Sequence, residues 1–94
     1  MKPIHFSQHA LDQTRERKAK KEEVEYAIRK GDWKSAEKDR MSSSYTFSFE
    51  SEHYGRYYKS KDVVPIFIEE SDRIEVITVY TFFSQKEVKD EGKV

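Results

Sequence analysis

The sequence predicts a two-layer α+β domain: two N-terminal helices packed on one face of a three- to five-stranded, mainly antiparallel sheet. Three features predict it. Apolar residues recur at helical spacing over residues 8–30. From residue 45 onward, aromatic and β-branched residues alternate with polar ones or form short blocks. Only a few residues connect those blocks, which joins neighbours antiparallel, because a parallel crossover needs about a dozen or more. Helices on one side of such a sheet enclose a single core.

Residues 1–6 form a short extended piece, with Pro3 discouraging an earlier helix. Ser7 is a helix cap through its hydroxyl, and Phe6 stands just outside as a staple residue. The first helix then spans about 8–18, with Ala10, Leu11 and the methyl of Thr14 as a narrow apolar stripe. His9, Gln13 and Arg17, four apart, share a neighbouring line. A second helix covers 21–30 and buries Val24, Ala27 and Ile28. Glu22 and Glu23 suit its start, Arg29 and Lys30 its end, and Gly31 its cap. Helices this short need a surface to pack on.

Residues 33–38 open the sheet, and 40–44 are a polar turn or loop. Tyr45, Phe47 and Phe49 alternate with polar residues as a half-buried strand, followed by a turn at 51–53. A separate strand at 54–59 comes next, with Gly55 marking a turn or bulge. Residues 63–68 are strand-like, although Pro65 requires an edge, a bulge or an unpaired donor position. The 69–72 segment turns, and the β-branched run in 73–83 suits a central strand. The single domain spans 1–84, and 85–94 is a solvated, flexible tail or a partner-binding arm.

Composition narrows the chemistry. Thirteen aromatic residues argue for a folded chain despite 38% charged residues. With no cysteine there is no disulfide, thiolate metal site or cysteine nucleophile, which suits a cytoplasmic setting. No run approaches ~18 apolar residues, so a membrane span is not expected, and the opening MKPIHFSQHA does not resemble a signal peptide. Residues 1–47 carry eleven Lys/Arg against eight Asp/Glu, net +3; residues 48–94 carry seven against ten, net −3. Arg15, Lys18, Lys20 and Lys21 form the densest basic patch, a local attraction for phosphate or simply a solvated face. Arg56, Lys59 and Lys61 stand among tyrosines, an arrangement that can stack bases and hold phosphates or place an aromatic side in the core. The histidines at 5, 9 and 53 lack a metal-site spacing, and Glu69, Glu70 and Asp72 lack a calcium-loop pattern, so neither metal nor cofactor is expected.

The segment His9–Ala10, then Arg17, then Val24 with Ala27–Ile28, and finally Ile77–Thr78–Val79–Tyr80 resembles domain-of-unknown-function family 4258 over about residues 5–82. That family is similar to the compact RelE and ParE toxin superfamily and to the BrnT ribonuclease toxins. Where the family carries a further helix arginine this chain has Gln13, and where it carries a glycine between the helices this chain has Lys18. The turn between the helices must therefore be made differently. The resemblance implies a toxin-like protein, a metal-independent ribonuclease of a toxin–antitoxin pair, with an antitoxin and RNA as partners.

In such chemistry His9 transfers the 2′-hydroxyl or leaving-group proton. Arg17 stabilises the charged phosphorane-like state, and Tyr80 donates a proton or hydrogen bond. Strand alternation puts Thr78 and Tyr80 on one sheet face, so a helix lying over that face brings His9 to Tyr80. In the alternative, His9 only ties the helix to the sheet. The chain is then a non-catalytic protein- or RNA-binding module, or a degenerate relative of the toxin fold.

Overall fold

The computed structural model describes residues 2–88. Its α+β architecture has two helices over one face of a sheet of six strands, not three to five. The strands are β1 (Ile4–Phe6), β2 (Lys34–Ser35), β3 (Met41–Ser42), β4 (Tyr45–His53), β5 (Arg56–Glu69) and β6 (Ile74–Ser84). They lie in the order β1-β6-β5-β3-β2, with β4 also pairing β5. The strands beyond expectation are short ones. The two residues of β3, Met41 and Ser42, show no alternation and fall where a polar loop is expected. Three-residue β1 pairs β6 in parallel, Ile4 opposite Ile74 and Phe6 opposite Val76, which departs from a pure antiparallel meander.

Helix α1 (Gln8–Glu16) starts as expected: the Ala10 N–H donates to Ser7 Oγ at 3.0 Å. Phe6, Ala10 and Thr14 are buried, and the Thr14 hydroxyl donates to the Ala10 carbonyl at 2.7 Å. The helix ends two residues before the expected position, because Lys18 adopts φ 60°. The Lys18 N–H reaches Arg15 O at 3.3 Å and the Ala19 N–H reaches Thr14 O at 3.0 Å, the bond pair of a Schellman turn. A glycine normally takes that left-handed position; for an L-residue it costs about 1–2 kcal/mol.

Helix α2 (Lys21–Lys30) has the expected limits and buries Val24, Ala27 and Ile28. Lys20 precedes it and offers no side-chain acceptor, but Glu23 Oε1 accepts the Lys20 N–H at 3.0 Å. Gly31 follows at φ −81°, so it is not there for a left-handed turn. A Cβ on Gly31 would press on Ser43 Oγ and lie 2.7 Å from the Ala27 and Ser44 carbonyl oxygens. Trp33, expected to open the sheet, instead donates its indole N–H to Ile28 O at 2.7 Å and packs edge-on against Phe67.

The separate strands expected at 54–59 and 63–68 are one strand, β5, and the turn expected at 51–53 lies at Tyr54–Gly55. Both turn residues have positive φ, which matches the twist of a two-residue hairpin. Pro65 sits in the middle of β5 without disrupting it. The strand run alongside breaks opposite it, between β3 and β4, and there Ser43 N–H donates to Pro65 O at 3.3 Å. The missing proline donor thus faces a gap between two partners, an unpaired donor position. The described part of the expected tail includes Gln85, which donates to Tyr57 O at 2.7 Å; residues 89–94 lie outside the described residues.

Phe6, Val24, Ile28, Phe47, Val63, Phe67, Ile74, Val76 and Val79 form the core between helices and sheet. Lys61 enters the same layer. Its Nζ lies 2.9 Å from Glu23 Oε1, with side-chain exposures of 6% and 9%, and donates to Lys18 O at 2.6 Å. It also stands 5.5 Å from the Phe49 ring centroid. Lys61 is therefore not a free cation among the tyrosines.

Lys61→Met leaves the Glu23 charge buried and unpaired, and is expected to lower the unfolding free energy by about 3–5 kcal/mol. Adding Glu23→Gln recovers part of that loss; urea denaturation of the three proteins measures both. Gly31→Ala is expected to destabilise by about 1–3 kcal/mol through overpacking, read as a lower Tm.

Candidate functional site

Val79 is fully buried under the helices, so strand alternation turns its neighbours Thr78 and Tyr80 to the opposite face, away from the helices. Helix α1 therefore does not lie over the Thr78–Tyr80 face. It runs along the margin of β6 beyond the end of β1. Ser7 N–H donates to Val76 O at 3.2 Å, Ser7 Oγ to Ile77 O at 3.3 Å, and Arg17 Nη1 to Val79 O at 2.8 Å. The Thr81 hydroxyl donates back to Arg17 O at 2.9 Å. Between these anchors the His9–Arg17 line of the helix faces round the strand edge.

At one end of that line His9 Nε2 and Thr78 Oγ1 share a hydrogen bond of 3.3 Å, and His9 is exposed. At the other, the Arg17 guanidinium carbon stands 4.9 Å from the centroid of the Tyr80 ring, a cation–π contact. His9 and Arg17 are separated by about 12 Å of helix rise. Gln13 lies between them, and its Oε1 is buried without a hydrogen-bond partner among the described residues.

Tyr80, 42% exposed, stands between two hollows. One, of about 260 Å³, is lined by Ala36, Glu37, Lys38, Arg40, Ile66, Thr78 and Tyr80. The other, of about 290 Å³, is lined by Glu16, Arg17, His53, Tyr54, Tyr80, Thr81 and Phe83. Arg17 and Tyr80 thus share one hollow, whereas His9 adjoins the other through Thr78. Sequence reasoning missed Glu37, Lys38, Arg40 and Ile66 at this face. The 36–40 turn gives no periodic signal of its own, and nothing local says that it leans over β5 and β6.

The basic residues fall into two groups. Arg15, Lys18, Lys20 and Lys21 are exposed around the α1–α2 turn, where Arg15 and Lys21 flank a hollow of about 230 Å³ with Leu11, Thr14 and Ala19. Arg15 lies 3.9 Å from Asp12, and Lys21 Nζ 5.4 Å from the Phe6 ring centroid. Arg56 and Lys59 belong to β5; Arg56 stacks 5.6 Å from the Tyr58 ring centroid, and Lys59 pairs with Glu87 at 3.0 Å.

The three histidines do not converge, and among the described residues no three His, Cys, Asp or Glu side chains gather as a metal site. His53 stacks on Phe83 at 4.1 Å between centroids, and its Nδ1 is buried without a partner among the described residues. His5 Nδ1 lies 2.9 Å from both Glu75 carboxylate oxygens. That hydrogen bond holds the Glu75 carboxyl below its ordinary value of 4.5; burial opposes it less strongly, and the His5 and Arg73 charges reinforce it. A carboxyl depressed in the folded state stabilises the fold above its ordinary value, and that contribution disappears as pH falls through the folded value. The stability gap between wild type and Glu75→Gln is therefore expected to shrink on acidification below pH 4.5, measured as urea midpoints at neutral pH and in acid.

Among the described residues no helix is long and apolar enough to cross a membrane. No curated protein and no solved structure gives a significant match to the chain. A family model described as a domain of unknown function, DUF4258, matches residues 6–81. That span runs from the end of β1 through α1, α2 and the sheet to Thr81, and takes in His9, Arg17, Thr78 and Tyr80; the chain belongs to the DUF4258 family.

Proposed function

We propose that the chain is a toxin-like, metal-independent ribonuclease that acts on RNA at the outer margin of β6. The observation that carries this reading is the accessible His9–Thr78 pair, set on the same strand margin as the Arg17–Tyr80 pair. In the proposed reaction His9 takes the 2′-hydroxyl proton, with the Thr78 hydroxyl orienting its ring. The O2′–P bond forms as the P–O5′ bond breaks. Tyr80 gives its phenolic proton to the leaving O5′; solvent then takes the proton from His9 and returns one to Tyr80, which restores both groups. Arg17 has donors beyond the one given to Val79 O, and in this reading they stabilise the charge that develops on phosphorus. Arg15, Lys18, Lys20, Lys21, Arg56 and Lys59 attract the RNA backbone in this reading. An antitoxin partner, a RelE/ParE-like ancestry and a cytoplasmic location complete the proposal on resemblance alone.

A second reading is a non-catalytic protein- or RNA-binding module. It is favoured by the engagement of Arg17 with the Val79 carbonyl and the Tyr80 ring, contacts that also serve the fold. RNA cleavage by wild type and His9→Ala separates the two. The ribonuclease reading expects His9→Ala to retain its fold and to lose about 10²–10⁴-fold in rate. Equal cleavage by both removes His9 from the chemistry; no cleavage and no growth arrest with the wild type leaves the binding module.

A further inference from the structure

We infer that the 36–40 turn is the second wall of this site, and that Arg40, assisted by Lys38, binds the phosphate of an RNA nucleotide whose base lies against Tyr80. The inference rests on the reading of this face as an RNA site. The hollow of about 260 Å³ has an apolar floor in Ile66, a hydroxyl in Thr78, a phenol in Tyr80, and Lys38 and Arg40 along one side. Arg40 is half-buried, yet its guanidinium has no ion pair or hydrogen bond among the described residues, and neither has the Lys38 ammonium. Some cations near this face are engaged, Arg17 with Val79 O and Lys61 with Glu23, whereas unpaired ones elsewhere, such as Arg29 and Lys34, are fully on the surface. An unpaired guanidinium on a half-buried residue, beside a hydroxyl and a phenol, suits a phosphate, which its planar fork can meet with two bonds.

The turn that carries these cations is built rather than loose. Ala36 N–H donates to Arg40 O at 2.7 Å, and Arg40 N–H donates to Glu37 O at 3.2 Å. The two residues between them, Lys38 and Asp39, have φ 60° and 61°. Two successive positive φ values are the geometry of a tight turn closing the β2–β3 hairpin, which sets Lys38 and Arg40 on a defined backbone. Across the hollow Tyr80 stacks on Phe82 with centroids 6.5 Å apart and an interplanar angle of 27°, and the pair is 42% and 58% exposed. Exposed aromatic faces of this kind are platforms for a base.

The test is fluorescence anisotropy with a labelled, uncleavable 2′-O-methyl oligoribonucleotide of a few nucleotides, on full-length proteins checked for fold by circular dichroism. Wild type is expected to bind. Arg40→Ala is expected to weaken binding by about tenfold or more and to flatten its salt dependence. Lys38→Ala weakens it less, Arg40→Lys restores part of the loss, and Arg29→Ala, an exposed cation on α2, stays within about twofold of wild type. Absence of wild-type binding overturns the inference, as does Arg40→Ala within twofold of wild type or an equal loss in Arg29→Ala. Loss of binding on Arg40→Ala together with cleavage indifferent to His9→Ala would sink the catalytic reading and leave the phosphate site standing. Unchanged binding on Arg40→Ala would sink the phosphate site even if cleavage depends on His9.

Discussion

The ion pair between Lys61 and Glu23 ties together three parts of the fold within the layer between helices and sheet. Lys61 comes from the middle of β5, Glu23 from the first turn of α2, and the Lys18 carbonyl, which also accepts from Lys61, from the turn that ends α1. Two charges out of water are costly unless their remaining hydrogen-bonding capacity is satisfied. Here Glu23 Oε1 also accepts from the Lys20 N–H, and the Lys61 ammonium lies near the Phe49 ring. The left-handed Lys18 is held in place by the same ammonium. The pair thus fixes where α1 stops and how α2 begins, and with them the line on which His9 and Arg17 meet β6.

The margin of β6 is where this positioning has its effect. Among the described residues no strand pairs with β6 on that side beyond Val76, and an unpaired edge invites pairing with another chain. Ser7 and Arg17 occupy its carbonyls instead, and α1 covers its flank. The same contacts leave His9 beside Thr78 and lay Arg17 on Tyr80. Structural and chemical roles are therefore not separable at Arg17: a substitution there opens the strand edge as well as removing a cation.

The helices were largely legible in the sequence because their signals are local. Ser7 is a cap by chemistry, and Val24, Ala27 and Ile28 repeat at helical spacing. The family likeness was legible too, from short motifs around His9, Arg17 and Thr78 to Tyr80. Other features depend on residues distant in the chain. Lys61 reads as one more exposed cation among tyrosines until Glu23 and Lys18 are brought to it. The break in the strand run beside β5 falls opposite Pro65, where Ser43 bonds to Pro65 O and Ala27 O, partners far away in the sequence. The two-residue strands carry no period at all, and the 36–40 turn becomes part of a hollow only because β5 and β6 pass beneath it. Alternation correctly paired Thr78 with Tyr80, but it cannot say which face the helices cover.

The Lys61 ammonium can be observed directly by nitrogen-15 NMR of the wild-type protein at neutral pH. The account predicts slowly exchanging ammonium protons, with nuclear Overhauser contacts to Glu23 and to Lys18, set apart from the signals of the surface lysines. Exchange as fast as that of an exposed lysine such as Lys20, or absence of those contacts in a folded sample, would contradict it.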